Sequence, residues 1–261
     1  MNHLKQAFVK ALPPIIAVVV LVAAWEAYVR LGGISPRMLA APDDVVRSLI
    51  ATWPTSLGEA TAITAQEGLI GFGAAVVIGI LLGVTLYASR TLNAALYPLL
   101  AAAQTLPIIA IAPLFLIWFG FETTGKSVMV ALFAVFPIAI QTSRGLIAVP
   151  EFYTDVALTC GATRWWTLWH VRMRVAARQI FGGLRIAAAY VFATAATAEY
   201  LGAVNGLGIF LQSAYNSFRT PLIFAAALVI MGMTALLLIA ISLVERLMLG
   251  PRDDEDPDAE E

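Results

Sequence analysis

Residues 63–88, ITAQEGLIGFGAAVVIGILLGVTLYA, decide the class of this chain. A helix rises about 1.5 Å per residue, so about 20 apolar residues cross the roughly 30 Å of hydrocarbon in a bilayer. This stretch is long enough and greasy enough to do so. Comparable runs near 13–31, 94–119, 127–149, 179–202 and 221–248 bring the count to about six spans. The whole chain agrees, being 60% hydrophobic and 13% charged with a mean hydropathy of +0.84, where soluble domains average about 45–50% and about 25%. The reading is an all-α membrane protein with about six transmembrane helices.

Several function classes fall away on composition. A net charge of −1 offers nothing to nucleic acid, and the visible asymmetry, the acidic tail Asp253–Glu261, reads as a solvated segment. The single cysteine, Cys160, excludes an internal disulfide. The two histidines, His3 and His170, make no ligand pair, so neither a metal site nor a membrane-embedded enzyme is expected. A self-contained secondary transporter would show paired half-repeats. Here the third span carries Pro107 and Pro113, and the sixth has no proline after Pro221.

Charge sets the expected orientation. With the N-terminus inside, Lys5, Lys10, Arg90, Arg144, Arg164, Arg172, Arg174, Arg178, Arg185, Arg246 and Arg252 face the cytoplasm. Arg30, Arg37, Arg47, Lys126 and Arg219 face out, which divides the 16 basic residues 11 to 5. The positive-inside rule then puts both termini, and the long connection from about 150 to 178, in the cytoplasm. The first run is long and has no small-residue cleavage site after it, so it reads as a retained anchor. Between it and the second run, Asp43–Trp53 reads as a short outer surface helix capped by Asp43 or Asp44.

Gly120–Ser127, GFETTGKS, matches the phosphate-loop pattern G-x-x-x-x-G-K-S. That pattern works only between a strand and a soluble helix, where backbone amides and the lysine cradle phosphates. Here it joins two membrane spans on the outer side, and we read it as a short turn.

Ionisable groups inside spans are expensive, so each is a candidate for an interior pathway. Glu26 and Arg30 stand one turn apart and are expected to pair. Arg185 is expected to snorkel to the cytoplasmic end. Glu199 with Tyr200 sits near the outer end of span five, where a pathway role and a helix-packing role are both open. Gln104, Gln141 and Asn205 are further pathway candidates, since an amide can equally bond a neighbouring helix. Gly79, Gly83, Gly182 and Gly183 suggest close helix packing, and Pro107 and Pro113 a kink in span three.

The cytoplasmic connection continues into EFYTDVALTCGATRWWTLWHVRMRVAARQIFGGLRIA, residues 151–187. It is helix-forming up to Cys160, breaks at Gly161 and resumes, offering a compact knob that a partner's groove can grip. The alternative is an interfacial helix resting on headgroups through Trp165, Trp166 and Trp169. These residues resemble the permease subunits of bacterial ABC importers, whose signature is EAA, three residues, Gly, nine residues, then I-x-L-P. The matching positions are Asp155, Val156 and Ala157, then Gly161, then Val171, Met173 and Arg174, with Arg174 standing where the family has proline. GATRWWTLWHV, GGLRIA from Gly182, AEYLGAVNGLGIF from Ala198 and PIIAIAPLFLIWFGF from Pro107 extend the likeness over about residues 60–248.

The likeness is to the nitrate, sulfonate, taurine and thiamine-precursor group, and within it most to permeases for pyrimidine thiamine precursors or similar vitamin-like compounds. The resemblance implies the type I ABC importer permease (MetI-like) fold. It also implies a homodimer in the bacterial inner membrane, two separate ATPase subunits below, a solute-binding protein above, and no cofactor in this chain. Asp155, Val156, Ala157, Gly161 and Ala162 would couple to the ATPase. Residues 1–62 would hold the tail, first span and outer helix, residues 63–248 the permease core with its coupling segment 151–174, and residues 249–261 the acidic tail.

Overall fold

A computed structural model describes residues 2–202 and 204–250, with the side chains of these apart from 2–11 and 14. The predicted acidic tail, Arg252, and the side chains of His3, Lys5 and Lys10 lie outside the described residues. Among them every regular element is a helix. Four helices are long and apolar enough to cross a membrane, or five if one sharply bent pair counts as a single span. The predicted first span, 13–31, falls on α1, Asn2–Leu31.

The chain divides into two compact units. The first comprises Met1–Thr61 and Phe210–Val229. In it Glu26 and Arg30 pair at 2.9 Å as expected, and Arg30 also reaches Asp43 and, at 3.2 Å, Asp44. This fastens the end of α1 to α2, Pro42–Thr52. Neither aspartate caps α2. Ala41 holds the N-cap position without a side-chain bond, Pro42 fills the first turn, and the carboxylates lie within that turn, favourable to the helix dipole. Nor does α2 end where the sequence predicts. A π turn, Trp53–Leu57, carries the helix on to α3, Gly58–Ala88. Pro54 sits at the start of the wider turn, where its missing N–H breaks no helical bond. Trp25 stacks on Phe224 at 5.4 Å, and Ala40, Val45 and Ala225 form a small core.

The second unit comprises Ala62–Ile209 and Ile230–Glu261. Its centre is α6, Thr123–Ile147, which carries the largest buried share of any candidate span. α9, Met173–Gly202, lies against α6. Gly79 and Gly83 of α3 press on α6, where an added Cβ would come within 2.8 Å of Ile138 and 2.5 Å of Thr142. Gly183 packs likewise on Gln141, whereas Gly182 faces open space, so only one of that predicted pair serves packing. Arg185 does not snorkel free. It forms an ion pair with Glu245 of α11, Thr220–Leu249.

The expected third span is broken. α4, Arg90–Ala103, and α5, Ile108–Phe119, meet at 104°. Pro107 explains the break, having no N–H and biasing Leu106 away from helix, while Pro113 is absorbed inside α5.

Candidate functional site

The segment predicted to grip a partner forms α7, Glu151–Thr159, entered at Pro150. It ends in a Schellman turn. The Ala162 N–H donates to the Ala157 carbonyl and the Gly161 N–H to that of Leu158, both at 3.0 Å, with Gly161 at φ 89°. That angle belongs to the left-handed region, which a residue with a Cβ enters only at a cost. Thr163 then caps α8, Arg164–Thr167, through a 3.2 Å bond from the Trp166 N–H. Helix, glycine and restart are thus set by local sequence.

α7 presents an exposed outer face. Phe152 is 71% exposed, and Asp155, Val156 and Gly161 are exposed with it, while Ala157 and Ala162 are half-buried. Behind this face Arg172 fastens the helix to the core. Its Nε donates to Thr154 at 2.8 Å, its Nη1 to the Leu146 carbonyl at 3.3 Å, and its guanidinium lies 5.2 Å from the Tyr87 ring. A cleft of about 970 Å³ opens beside these contacts, lined by Arg90, Asn93, Glu151, Asp155, Arg164 and Arg172 among others. The knob is therefore mounted on α3 and α6, so a push on it moves the bundle. The sequence gave no sign of Arg172, because its partners lie 18 and 26 residues away.

Glu199 and Tyr200 stand at the opposite end of α6 and α9 from this knob. Glu199 is fully buried. Its Oε1 accepts from the Thr64 hydroxyl and its Oε2 from the Gly208 N–H, both at 2.6 Å, while the Leu207 N–H donates to Thr64 Oγ1 at 2.9 Å. A carboxylate of α9 thereby caps α10, Leu207–Asn216. Gly206, at φ 116°, makes room, since a Cβ there would collide with the Glu199 carboxyl group. Tyr200 is half-buried beside it.

Next to this network Lys126 is 4% exposed and forms a 2.5 Å ion pair with the fully buried Glu67. The Thr123 hydroxyl adds a 3.3 Å bond to the same carboxylate oxygen. The phosphate-loop lookalike therefore spends its lysine on a neighbouring helix, and from Thr123 onward it is the first turn of α6. Glu67, Lys126 and Glu245 escape a hydropathy reading because one charge barely lowers the mean of a long apolar window. A second charge far along the chain was the signal available.

Of the amide candidates, Gln104 is exposed at the α4–α5 break, and Gln141 accepts a 2.5 Å bond from Gln179 of α9. The structure does not gather Gln104, Gln141 and Glu199 into one cluster. No group of His, Cys, Asp and Glu among the described residues could hold a metal.

Residues 75–250 match the family model described as "Binding-protein-dependent transport system inner membrane component". The formylaminopyrimidine transport permease of Halalkalibacterium halodurans is 32% identical over 92% of this chain and 96% of its own. The riboflavin transport system permease of Chloroflexus aurantiacus is 34% identical over 90% and 88%, and the taurine transport permease of Escherichia coli 30% over 87% and 85%. Among solved structures, a chain of the inward-facing methionine ABC transporter aligns with a TM-score of 0.59 at 20% identity, covering 77% of this chain and 98% of that one.

Proposed function

The chain belongs to the family of binding-protein-dependent transport system inner membrane components, and on that premise we propose that it imports a pyrimidine thiamine precursor or a similar vitamin-like solute. The coarser statement needs no proposal. The chain is a permease of an ABC importer, of the nitrate, sulfonate and taurine group, with the type I fold. It is a transport component, and ATP hydrolysis belongs to separate subunits. Family membership brings with it an ATPase and a solute-binding protein as partners.

The solute class is carried by the likeness to the formylaminopyrimidine and riboflavin permeases, which spans nine tenths of the chain in each case. Sulfonate, taurine and nitrate are the competing solutes. The test is uptake by proteoliposomes holding this permease with its own ATPase and binding protein. Labelled aminopyrimidine is expected to enter in an ATP-dependent way, undiminished by excess taurine. Preferential uptake of taurine instead overturns the solute assignment.

Coupling follows from the same premise. Asp155, Val156, Ala157, Gly161 and Ala162 form the contact through which an ATPase moves the permease. The exposed face of α7 and the Arg172 fastening behind it support this, because rigid-body coupling needs a handle that cannot slide. Two permease copies would pair with two ATPases, with both termini and residues 150–178 in the cytoplasm and the binding protein on the outer face. Gln104 and Gln141 are assigned to the pathway. Glu199 and Tyr200 border its outer end, where the bonds made by Glu199 support the packing role.

A further inference from the structure

The break between α4 and α5 sits where lipid does not tolerate one. α4 has 14 residues and α5 has 12, about 21 and 18 Å at 1.5 Å per residue, so neither crosses roughly 30 Å of hydrocarbon alone. The pair nevertheless joins opposite ends of the bundle. Arg90 and Asn93 line the cleft beside α7, and Asn93 bonds Ser143 at 3.1 Å near the end of α6. After Phe119 the chain reaches Thr123 and Lys126, which meet Glu67 at the start of α6.

The level of the break can be read from its neighbours. Tyr97 lies 5.6 Å from the Arg144 guanidinium in the last turn of α6, whereas Ile108 packs in the cluster of Phe133, at the middle of α6. Residues 104–107 therefore fall between those two levels, inside the hydrocarbon. Gln104, Thr105, Leu106 and Pro107 are all exposed there. Non-helical backbone at membrane depth persists only where protein or a water-filled cavity satisfies it, and an exposed glutamine carries the same requirement.

A second observation falls at the same depth. The side chains of Gln141 and Gln179 bond each other at 2.5 Å on the adjoining turns of α6 and α9, and Gln179 is exposed. Polar groups exposed at this level are thus amides and a hydroxyl. The ionisable groups at the far end, Glu67, Lys126 and Glu199, are buried in mutual contacts.

We infer that the 104–107 break, with Gln104 and Thr105, lines the water-filled solute path, and that Gln141 and Gln179 continue it. A primary amide both donates and accepts, so this lining recognises an uncharged solute with mixed donors and acceptors, such as an aminopyrimidine, and offers no cation to a sulfonate or nitrate. The inference rests on the permease reading and gives it a location.

The test uses the whole transporter, with its ATPase and binding protein, in membrane vesicles. Cys160→Ser removes the native thiol. Gln104→Cys, Thr105→Cys and, as an apolar control in the middle of α11, Leu236→Cys are then exposed to a charged, membrane-impermeant thiosulfonate. Both break positions are expected to react about tenfold or more faster than Leu236→Cys, since a charged reagent does not partition into hydrocarbon. If Gln104→Cys and Thr105→Cys are as inert as the control while uptake proceeds, the inference is overturned and the permease reading stands. If they react while no aminopyrimidine enters, the path assignment stands and the solute assignment fails. The amide role has its own arm. Gln104→Leu combined with Gln141→Leu is expected to lower aminopyrimidine uptake about tenfold while Thr105→Cys still reacts, one lost buried hydrogen bond being worth about that factor. Undiminished uptake overturns that role.

Discussion

Gly161 holds φ 89°, and a Cβ built there meets nothing within 4 Å. A substitution at this position acts through backbone conformation alone. Gly161→Val is expected to cost roughly 1–2 kcal/mol of local conformational energy, to leave membrane insertion unchanged and to weaken ATPase association about tenfold. Co-purification of the ATPase and uptake measure it, and wild-type values in both sink the coupling assignment. At Lys126 the chemistry differs. Removing one member of a buried ion pair strands the other at about 3–5 kcal/mol, whereas replacing both with apolar groups is close to neutral. Lys126→Met is therefore expected to lower the melting temperature sharply in detergent, and Lys126→Met with Glu67→Leu to recover most of the loss. Glu199→Ala would leave the Gly208 N–H and the Thr64 hydroxyl without their acceptor, at about 1–3 kcal/mol each. Easier proteolysis between α9 and α10 is the expected sign.

Among the helices, the sequence was informative wherever one segment fixed its own fate. The α7 boundaries, the glycine turn and the close packing of Gly79 and Gly83 all follow from local residue type. What it did not disclose were relations across the chain. The Glu67–Lys126 pair joins residues 59 positions apart, and Arg172 reaches back to Leu146, so no window reading could join them. Pro107 foretold a kink, but its size, 104°, depends on how α5 seats against α6 and α9. The π turn at Trp53–Leu57 made a separate surface helix look plausible when the helix in fact continues. The element whose mounting matters most is α7. Arg172→Ala removes the bonds to Thr154 and Leu146, and amide exchange over residues 151–159 is expected to quicken by about tenfold or more as the helix samples local opening. ATPase activity should then persist with little uptake. Unchanged exchange would show that α7 is held by other contacts.

At the scale of the molecule, apolar exposure identifies membrane-facing surface without saying which part meets lipid. Ile109, Ile117, Trp118 and Phe119 of α5 are exposed, as are Val77 of α3 and Leu236 and Ile239 of α11. Lipid tails and an apolar partner helix look alike to such residues. The polar break separates the two cases. If residues 104–107 face water inside the membrane, something must enclose that water, and a second copy of the same chain, related by a twofold axis along the path, closes it with the fewest distinct parts. The assembly is therefore expected to hold two permeases and two ATPases, as native mass spectrometry of the purified transporter would report. In that dimer Ile109, one turn of α5 from the break, lies near the axis, and Leu236 lies away from it. Oxidation of Ile109→Cys in a Cys160→Ser background is expected to cross-link copies of this chain, and oxidation of Leu236→Cys is not. Cross-linking at Leu236→Cys alone would place the interface on α11 and require the path to be enclosed differently.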